Sequence, residues 1–542
     1  MSTHSRVSSS ISTACDAGGG GIQARGAGQP RGRGAVRWLL PLAAGALLAG
    51  CGGDGNGLGG LVTPPAPPTV TATVPAADSS DALNTAAISV SFDRSMDAAS
   101  LTATSFTLAC PEGTPVTGTV TYTDASHTAT LTPDAMLPAA TTCTATVTTA
   151  AKDSMGVPLA GNFSWSFSTT VDPAVAAEGQ QIFRYDTFGD ETQWSDTLRM
   201  HEVIAAAVDP TTALSVGLKV DAEALPAAVV AGIQDGSISL TSTDTTIALL
   251  KLNAVVGVKG TVESVNGKDT LTRVGITCAL CHSTVDDSFA PGIGKRLDGW
   301  PNRDLDPGLI ISLSPALTPA QKAVYASWGK GKYDPRFNFD GINGPQVISP
   351  AFGLAGIHKV TATGDGDEIA YWNRYVGVTQ MGGHGTFTEP RLGISVTNGT
   401  DDLISSKLPA LQAYQLTLLA PPPPAGSFDM AAAARGEALF NGKAGCVGCH
   451  SGPEFTDANE RLHDPSEVAS EPEAAGVPSY ASRTATKQYR TAPLRGVWQH
   501  PPYFHNGSAA TLADVVAAYN SKKSLGLTSA EIQDVAQYLK SL

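Results

Sequence analysis

Between residues 69 and 170 apolar and polar positions alternate in short runs: "AISVSF", "TSFTLAC", "GTVTYT", "TATLTP", "CTATVTT" and "SWSFSTT". A period of two marks half-buried strands, and turn residues separate the runs, so this region is expected to form an all-β sandwich. From about residue 171 the period lengthens to that of helices. "PAVAAEGQQIFRYDTFGDE" opens an amphipathic helix that carries Gly179 and Phe183 four apart on one face. The same arrangement recurs in "MAAAARGEALFNGKAGCVGCH" with Gly436 and Phe440. The chain closes on "LTSAEIQDVAQYLKSL", where Thr528 and Glu531 make a capping box and Ile532, Val535, Ala536 and Leu539 an apolar stripe. This last helix is expected to cross the one carrying Gly436, since a glycine lets two backbones approach closely. "LLAPPPPAGS" (418–427) breaks any helix and divides the helical part into 171–425 and 426–542.

The N-terminus reads as an export leader over residues 1–50. Arg25, Arg31, Arg33 and Arg37 precede the apolar run "WLLPLAAGALLAG", too short to span a bilayer, which ends at Cys51. "LLAGC" resembles a bacterial lipobox, which makes Cys51 the expected lipidation site and the cell envelope, on the outer membrane, the expected location. Residues 51–68, Gly-rich and then Pro-rich, form the tether to the folded part. The formal charge of −14 becomes −18 when the leader's five Arg and one Asp are removed, and no basic stripe is present. Nucleic acid is therefore excluded as an expected partner.

Eight cysteines organise the chemistry. Besides Cys15 in the leader and Cys51, Cys110 and Cys143 are expected to form a disulfide, because exported chains seldom keep idle thiols. The other four stand in "CALCH" (Cys278, Cys281, His282) and "CVGCH" (Cys446, Cys449, His450). C-x-x-C-H is the attachment pattern of c-type haem. Two thiols add across the porphyrin vinyl groups, and the adjacent imidazole, here His282 or His450, becomes the proximal iron ligand. A zinc ribbon lacks its second C-x-x-C at the required spacing, so two covalent haems are the expected cofactors.

Residues 426–542, with "ARGEALFNGKAGCVGCHSGPEFTD" and "YRTAPLRGVWQHPPYFHNGSAATLADVVAAYN", resemble the C-terminal haem domain of the bacterial di-haem cytochrome c peroxidase/MauG family. Over 171–425 the likeness rests on "EGQQIF", "CALCH" and the two-haem layout. Residues 69–170, through "ISVSFDRSMDAASLTATSFTL" and "WSFSTT", resemble bacterial Ig-like domains of the SbsA type. Together they imply a multidomain chain: an N-terminal Ig-like β-sandwich followed by two mainly α cytochrome c-type haem domains. The family implies that one haem relays electrons while the other meets hydrogen peroxide or another small oxidant. An aromatic side chain passes electrons between them, for which Trp372 and Trp498 are candidates. Some relatives also carry an inter-haem calcium.

The second haem lacks the methionine that the peroxidases use, because no Met follows residue 450. The matching position is Tyr519, as in MauG, and a phenolate there stabilises ferric iron. His505 is the rival ligand, with His500 and His463 behind it. For the first haem, "TQMGGHGTFTEP" (379–390) offers Met381 or His384 as distal ligand, or Gln380 or Glu389 as acid/base in an open pocket. The family's N-terminal distal-His signature is absent after "CALCH", and roughly 95 residues are inserted before it. Three readings stay open: a di-haem peroxidase/MauG-type oxidoreductase, an electron carrier between periplasmic partners, and a dioxygenase resembling rubber oxygenases.

Overall fold

The computed structural model describes residues 65–139, 141–366, 368–471 and 478–542. The leader, Cys15, Cys51 and most of the tether lie outside the described residues. No helix among the described residues is long and apolar enough to cross a membrane.

The alternating runs form two facing sheets. One has the order β1 (Val70–Val74), β3 (Ile88–Phe92), β7 (Thr128–Pro133), β6 (Gly118–Thr123). The other runs β2 (Ala82–Leu83), β9 (Phe163–Thr170), β8 (Thr142–Val147), β4 (Phe106–Ala109), β5 (Pro115–Val116). Every second side chain of β3, β4 and β8 points inward, so Ile88, Val90, Phe106, Leu108, Ala145 and Val147 meet in one core with Trp165 and Phe167. The expected Cys110–Cys143 disulfide is present and joins the paired strands β4 and β8. The sandwich hands over to the helical part at Asp172. This residue caps the Pro173–Tyr185 helix by accepting from Ala174 N, while Thr85 donates to its other oxygen at 2.7 Å.

The two helical regions repeat one packing device. The Pro173–Tyr185 helix crosses Leu408–Thr417, and the Met430–Asn441 helix crosses Ser529–Lys540. A Cβ on Gly179 would lie 1.9 Å from the Ala410 carbonyl oxygen; one on Gly436 would lie 2.0 Å from that of Asp534. Beside each glycine an edge-on aromatic pair fills the crossing: Phe183–Tyr414 at 5.5 Å and Phe440–Tyr538 at 5.2 Å. The capping box at Thr528 and Glu531 forms as expected.

The insertion departs from the helical expectation. Residues 200–251 are mainly short helices around a two-residue strand, Val220–Asp221, but Val258–Val265 and Lys268–Ile276 pair as an antiparallel hairpin. Its turn is Asn266-Gly267, both at positive φ, the sequence such a hairpin demands. A second hairpin, Gly385–Glu389 with Ile394–Asn398, follows the Gly-rich loop.

Candidate haem sites

The first C-x-x-C-H lies on a one-turn helix, Ala279–His282, held close under the chain. Gly257, at positive φ, sits where a Cβ would strike the Leu280 backbone at 2.1 Å, and Thr277 Oγ1 donates to the Arg184 carbonyl at 3.1 Å. His282 Nδ1 donates to the Ser349 carbonyl at 3.0 Å. In the second motif His450 Nδ1 donates to the Phe455 carbonyl at 2.9 Å. A carbonyl can only accept, so each ring carries its proton on Nδ1 and keeps Nε2 as a lone-pair donor. Burial lowers both imidazole pKa values, that of His282 to about 4, which keeps the rings neutral as a metal ligand must be.

The cysteines do not sit in the electropositive setting of a reactive redox pair. Burial pushes Cys278 and Cys281 up to about 12 and Cys446 to about 11, the reverse of the depressed pKa of a reactive C-x-x-C. A cavity of about 320 Å³ opens over Cys278, Cys281 and His282. Its walls are predominantly apolar, with Leu218, Val258, Ile276 and Leu280 near the motif and Val376 and Trp372 among the residues of the Ile369–Val376 helix. An apolar chamber over two thiols and a neutral, oriented imidazole fits a covalent haem.

Cys449 Sγ also converges with Asp457 and His463, whose ligand atoms all lie within 4.8 Å of one another. Asp457 is already engaged by His463 at 3.1 Å and Arg461 at 2.6 Å. Thioether formation to a haem would remove the thiolate a metal ion would require there, so the two uses of Cys449 exclude each other.

The remaining candidates separate clearly. Tyr519, on the Leu512–Lys523 helix, lies close enough to Cys449 and Cys446 to feel both thiols, and burial raises its phenol pKa. Its ring packs on Phe504 at 6.0 Å. His505 does not face the second motif. It lines the first cavity, stacked on Tyr489 at 4.9 Å and Tyr480 at 6.3 Å, while its carbonyl accepts from Val347 N at 2.8 Å. Of the two rivals, Tyr519 is thus the one found beside the second motif, while His505, from the C-terminal region, contributes to the wall of the first cavity. His463 is held by Asp457. His500 packs against Phe352 and Tyr503, and burial lowers it to about 3.

Met381 and Gln380 line the first cavity, but the Gln380 amide is already committed. Its oxygen accepts from Tyr333 at 2.6 Å and its nitrogen donates to the Pro335 carbonyl at 3.0 Å. His384 and Glu389 are absent from the lining. His384 Nδ1 pairs with Asp401 at 3.0 Å. Glu389 is clamped by Arg391 at 2.6 Å and Tyr371 at 2.8 Å, and these donors hold its carboxyl at about 2. A carboxylate so tied down and outside the cavity does not serve as the expected proton shuttle. Trp372 lines the cavity; Trp498 instead meets Trp300 edge-on at 6.0 Å and donates to the Pro421 carbonyl. Tyr333, Tyr480 and Trp300 escaped the sequence reading because no spacing relates them to a motif; only the fold brings them in.

Comparisons with known proteins agree with this division. The family model for a bacterial Ig-like domain matches residues 64–169, and that for a RoxA-like, cytochrome c-like domain matches 488–524. The cytochrome-c peroxidase IdrP1 of Denitromonas iodatirespirans is 33% identical over 151 residues, covering 21% of this chain and 40% of that protein. The methylamine utilization protein MauG of Methylorubrum extorquens is 35% identical over 118 residues, covering 20% of this chain and 33% of that protein. The match thus spans well under half the length of these relatives. A solved MauG-like protein associated with microbial copper homeostasis superposes over 36% of this chain and 73% of that one, at a TM-score of 0.26 and 18% identity. The relatives matched are thus cytochrome c peroxidases and MauG, and the chain's own architecture is a sheet-rich Ig-like region followed by a mainly helical region.

Proposed function

We propose that this chain is an exported, lipid-anchored di-haem c-type cytochrome that reacts with hydrogen peroxide at its first haem and relays electrons through its second. The observation that carries the reading is the contrast between the two sites. An apolar cavity opens over His282, whereas the buried phenol of Tyr519 stands by the second attachment motif. The leader and Cys51 support the envelope location, and the peroxidase relatives support peroxide as oxidant and a periplasmic electron donor. A role for inter-haem calcium rests on the family resemblance alone.

When bound, a haem supplies the one-electron chemistry of its iron and the push that cleaves an O–O bond. The chain's own residues do the rest. His282, fixed by Ser349, presents Nε2 from the proximal side. Apolar walls exclude water, which strengthens each polar contact made inside. No carboxylate lines the cavity among the described residues, and the Tyr333 hydroxyl is given to Gln380, which leaves His505 as the imidazole on its wall suited to pass a proton to a bound oxidant. Tyr519 is the residue that would hold a second haem from its far side, where a phenolate would favour ferric iron.

The apolar walls extend past the motif to Met200, Val203, Ile204, Ile310 and Ile311, and this favours a second reading. In it the cavity admits an apolar substrate and dioxygen, as in the rubber-oxygenase-like alternative. Rapid mixing of the ferric holoprotein with peroxide distinguishes the readings. The peroxidatic reading expects a Soret change within the mixing series followed by donor oxidation. A response to dioxygen in the reduced protein, with none to peroxide, favours the oxygenase. No response to either leaves an electron carrier.

A further inference from the structure

Besides the Tyr480–His505–Tyr489 stack, two chains of aromatic rings leave the first cavity among the described residues. One starts at Trp372, passes to Tyr375 at 5.0 Å and Phe387 at 5.1 Å, and reaches Tyr371 at 5.4 Å. It conducts positive charge poorly. Phe387 is a benzene ring far harder to oxidise than a phenol or an indole, and the Arg336 guanidinium sits 4.8 Å over Tyr375, repelling a hole there. The other starts at Tyr333 on the cavity wall, passes to Trp328 at 5.1 Å and reaches Tyr325 at 5.0 Å, every member oxidisable. Trp328 is 3% exposed and its indole N–H donates to Asn343 at 3.0 Å. Tyr325 is half-buried, its hydroxyl pointing to the Asn338 amide oxygen at 3.4 Å near solvent. Lys322, one helical turn before it on the Pro319–Ala326 helix, adds positive charge beside the exit.

We infer that Tyr325 is a surface oxidation site for phenols too large to enter the cavity, wired to it through Trp328 and Tyr333. The inference rests on the peroxide reading above. Each turn of the relay sends one electron inward from Tyr325 and releases its phenolic proton to solvent. The neutral tyrosyl radical then takes a hydrogen atom from the O–H bond of an external phenol and is restored. Two turns reduce one hydrogen peroxide with two protons to two waters and convert two phenols to two phenoxyl radicals. Lys322 favours anionic phenols among such donors.

The test uses the holoprotein with peroxide and two donors: a small phenol and the same phenol linked to a soluble polymer. A nitroso spin trap, mapped by peptide mass spectrometry, locates protein radicals. Wild type is expected to oxidise both donors and to carry the trap adduct on Tyr325. Tyr325→Phe, which removes only a hydroxyl at a half-exposed position, is expected to cut oxidation of the polymer-linked phenol more than tenfold. It leaves the Soret response to peroxide unchanged. Trp328→Phe is expected to abolish the Tyr325 adduct. Peroxide consumption without an adduct on Tyr325, or full polymer-linked activity in Tyr325→Phe, overturns the relay alone. A haem spectrum indifferent to peroxide overturns the functional reading and the relay with it.

Discussion

Gly436→Ala places one methyl group at the tightest point of the C-terminal domain. The new Cβ would lie 2.0 Å from the Asp534 carbonyl oxygen, 2.5 Å from its carbon and 2.9 Å from Tyr538 Cβ. Two of these three atoms are backbone, so no side chain can swing away; the helices must part by about 1.4 Å to reach ordinary contact. Parting them loosens Phe440, 2% exposed, from Tyr538, Val535 and Leu539. Overpacking of this kind costs about 3 kcal/mol, and alanine's better helix propensity returns about 1 kcal/mol, leaving a net loss of about 2 kcal/mol. For a domain of this size that lowers the melting transition by roughly 10 °C. Calorimetry of the holoprotein measures it, with haem content checked separately. A transition within roughly 2 °C of wild type refutes the crossing geometry, and with it the claim that Gly179 does the same work in the first haem domain.

Three further outcomes follow from the structure. Asp190 is fully buried, accepts from Ile276 N at 3.2 Å, and burial lifts its pKa to about 9. The unfolded chain therefore loses this proton first, so stability declines as pH rises from the usual carboxylate value of 3.8 towards 9. Urea titrations should show that decline in wild type and a flatter profile in Asp190→Asn; an unchanged slope contradicts the assignment. Replacing both Cys110 and Cys143 by serine, which frees a 33-residue separation, should cost the sandwich about 4 kcal/mol while the haem spectra stay as they were. Tyr519→Phe should change the spectrum of the second haem alone, whereas His505→Ala should alter ligand binding at the first. The opposite pattern reverses the assignment of these two residues.

What the sequence disclosed depended on how local the signal was. Strand alternation from Ile88 to Thr170, the Gly436 crossing and the Thr528 cap are properties of neighbouring residues, and all are found where periodicity and spacing put them; the Gly179 crossing repeats a spacing the sequence showed, but its partner helix emerged only from the fold. The Asn266-Gly267 hairpin was equally legible as a turn dipeptide, but lies inside a region whose periodicity had turned helical. His505 and Glu389 show the limit. Both sit in promising local sequence, yet His505 is turned to the first cavity by tertiary stacking on Tyr489, and Glu389 is withdrawn from it by Arg391 and Tyr371. Which cavity a side chain enters is decided by contacts between segments far apart in the chain. Composition and periodicity carry no record of those.

On the proposed function the two haems are unequal: the first open to small molecules, the second closed by Tyr519. Electron paramagnetic resonance of the ferric holoprotein, recorded before and after cyanide, tests it most directly. Unequal haems give a high-spin ferric signal that cyanide converts to low-spin and a separate low-spin signal that cyanide leaves untouched. Two low-spin signals, both indifferent to cyanide, would contradict it and leave the chain an electron carrier.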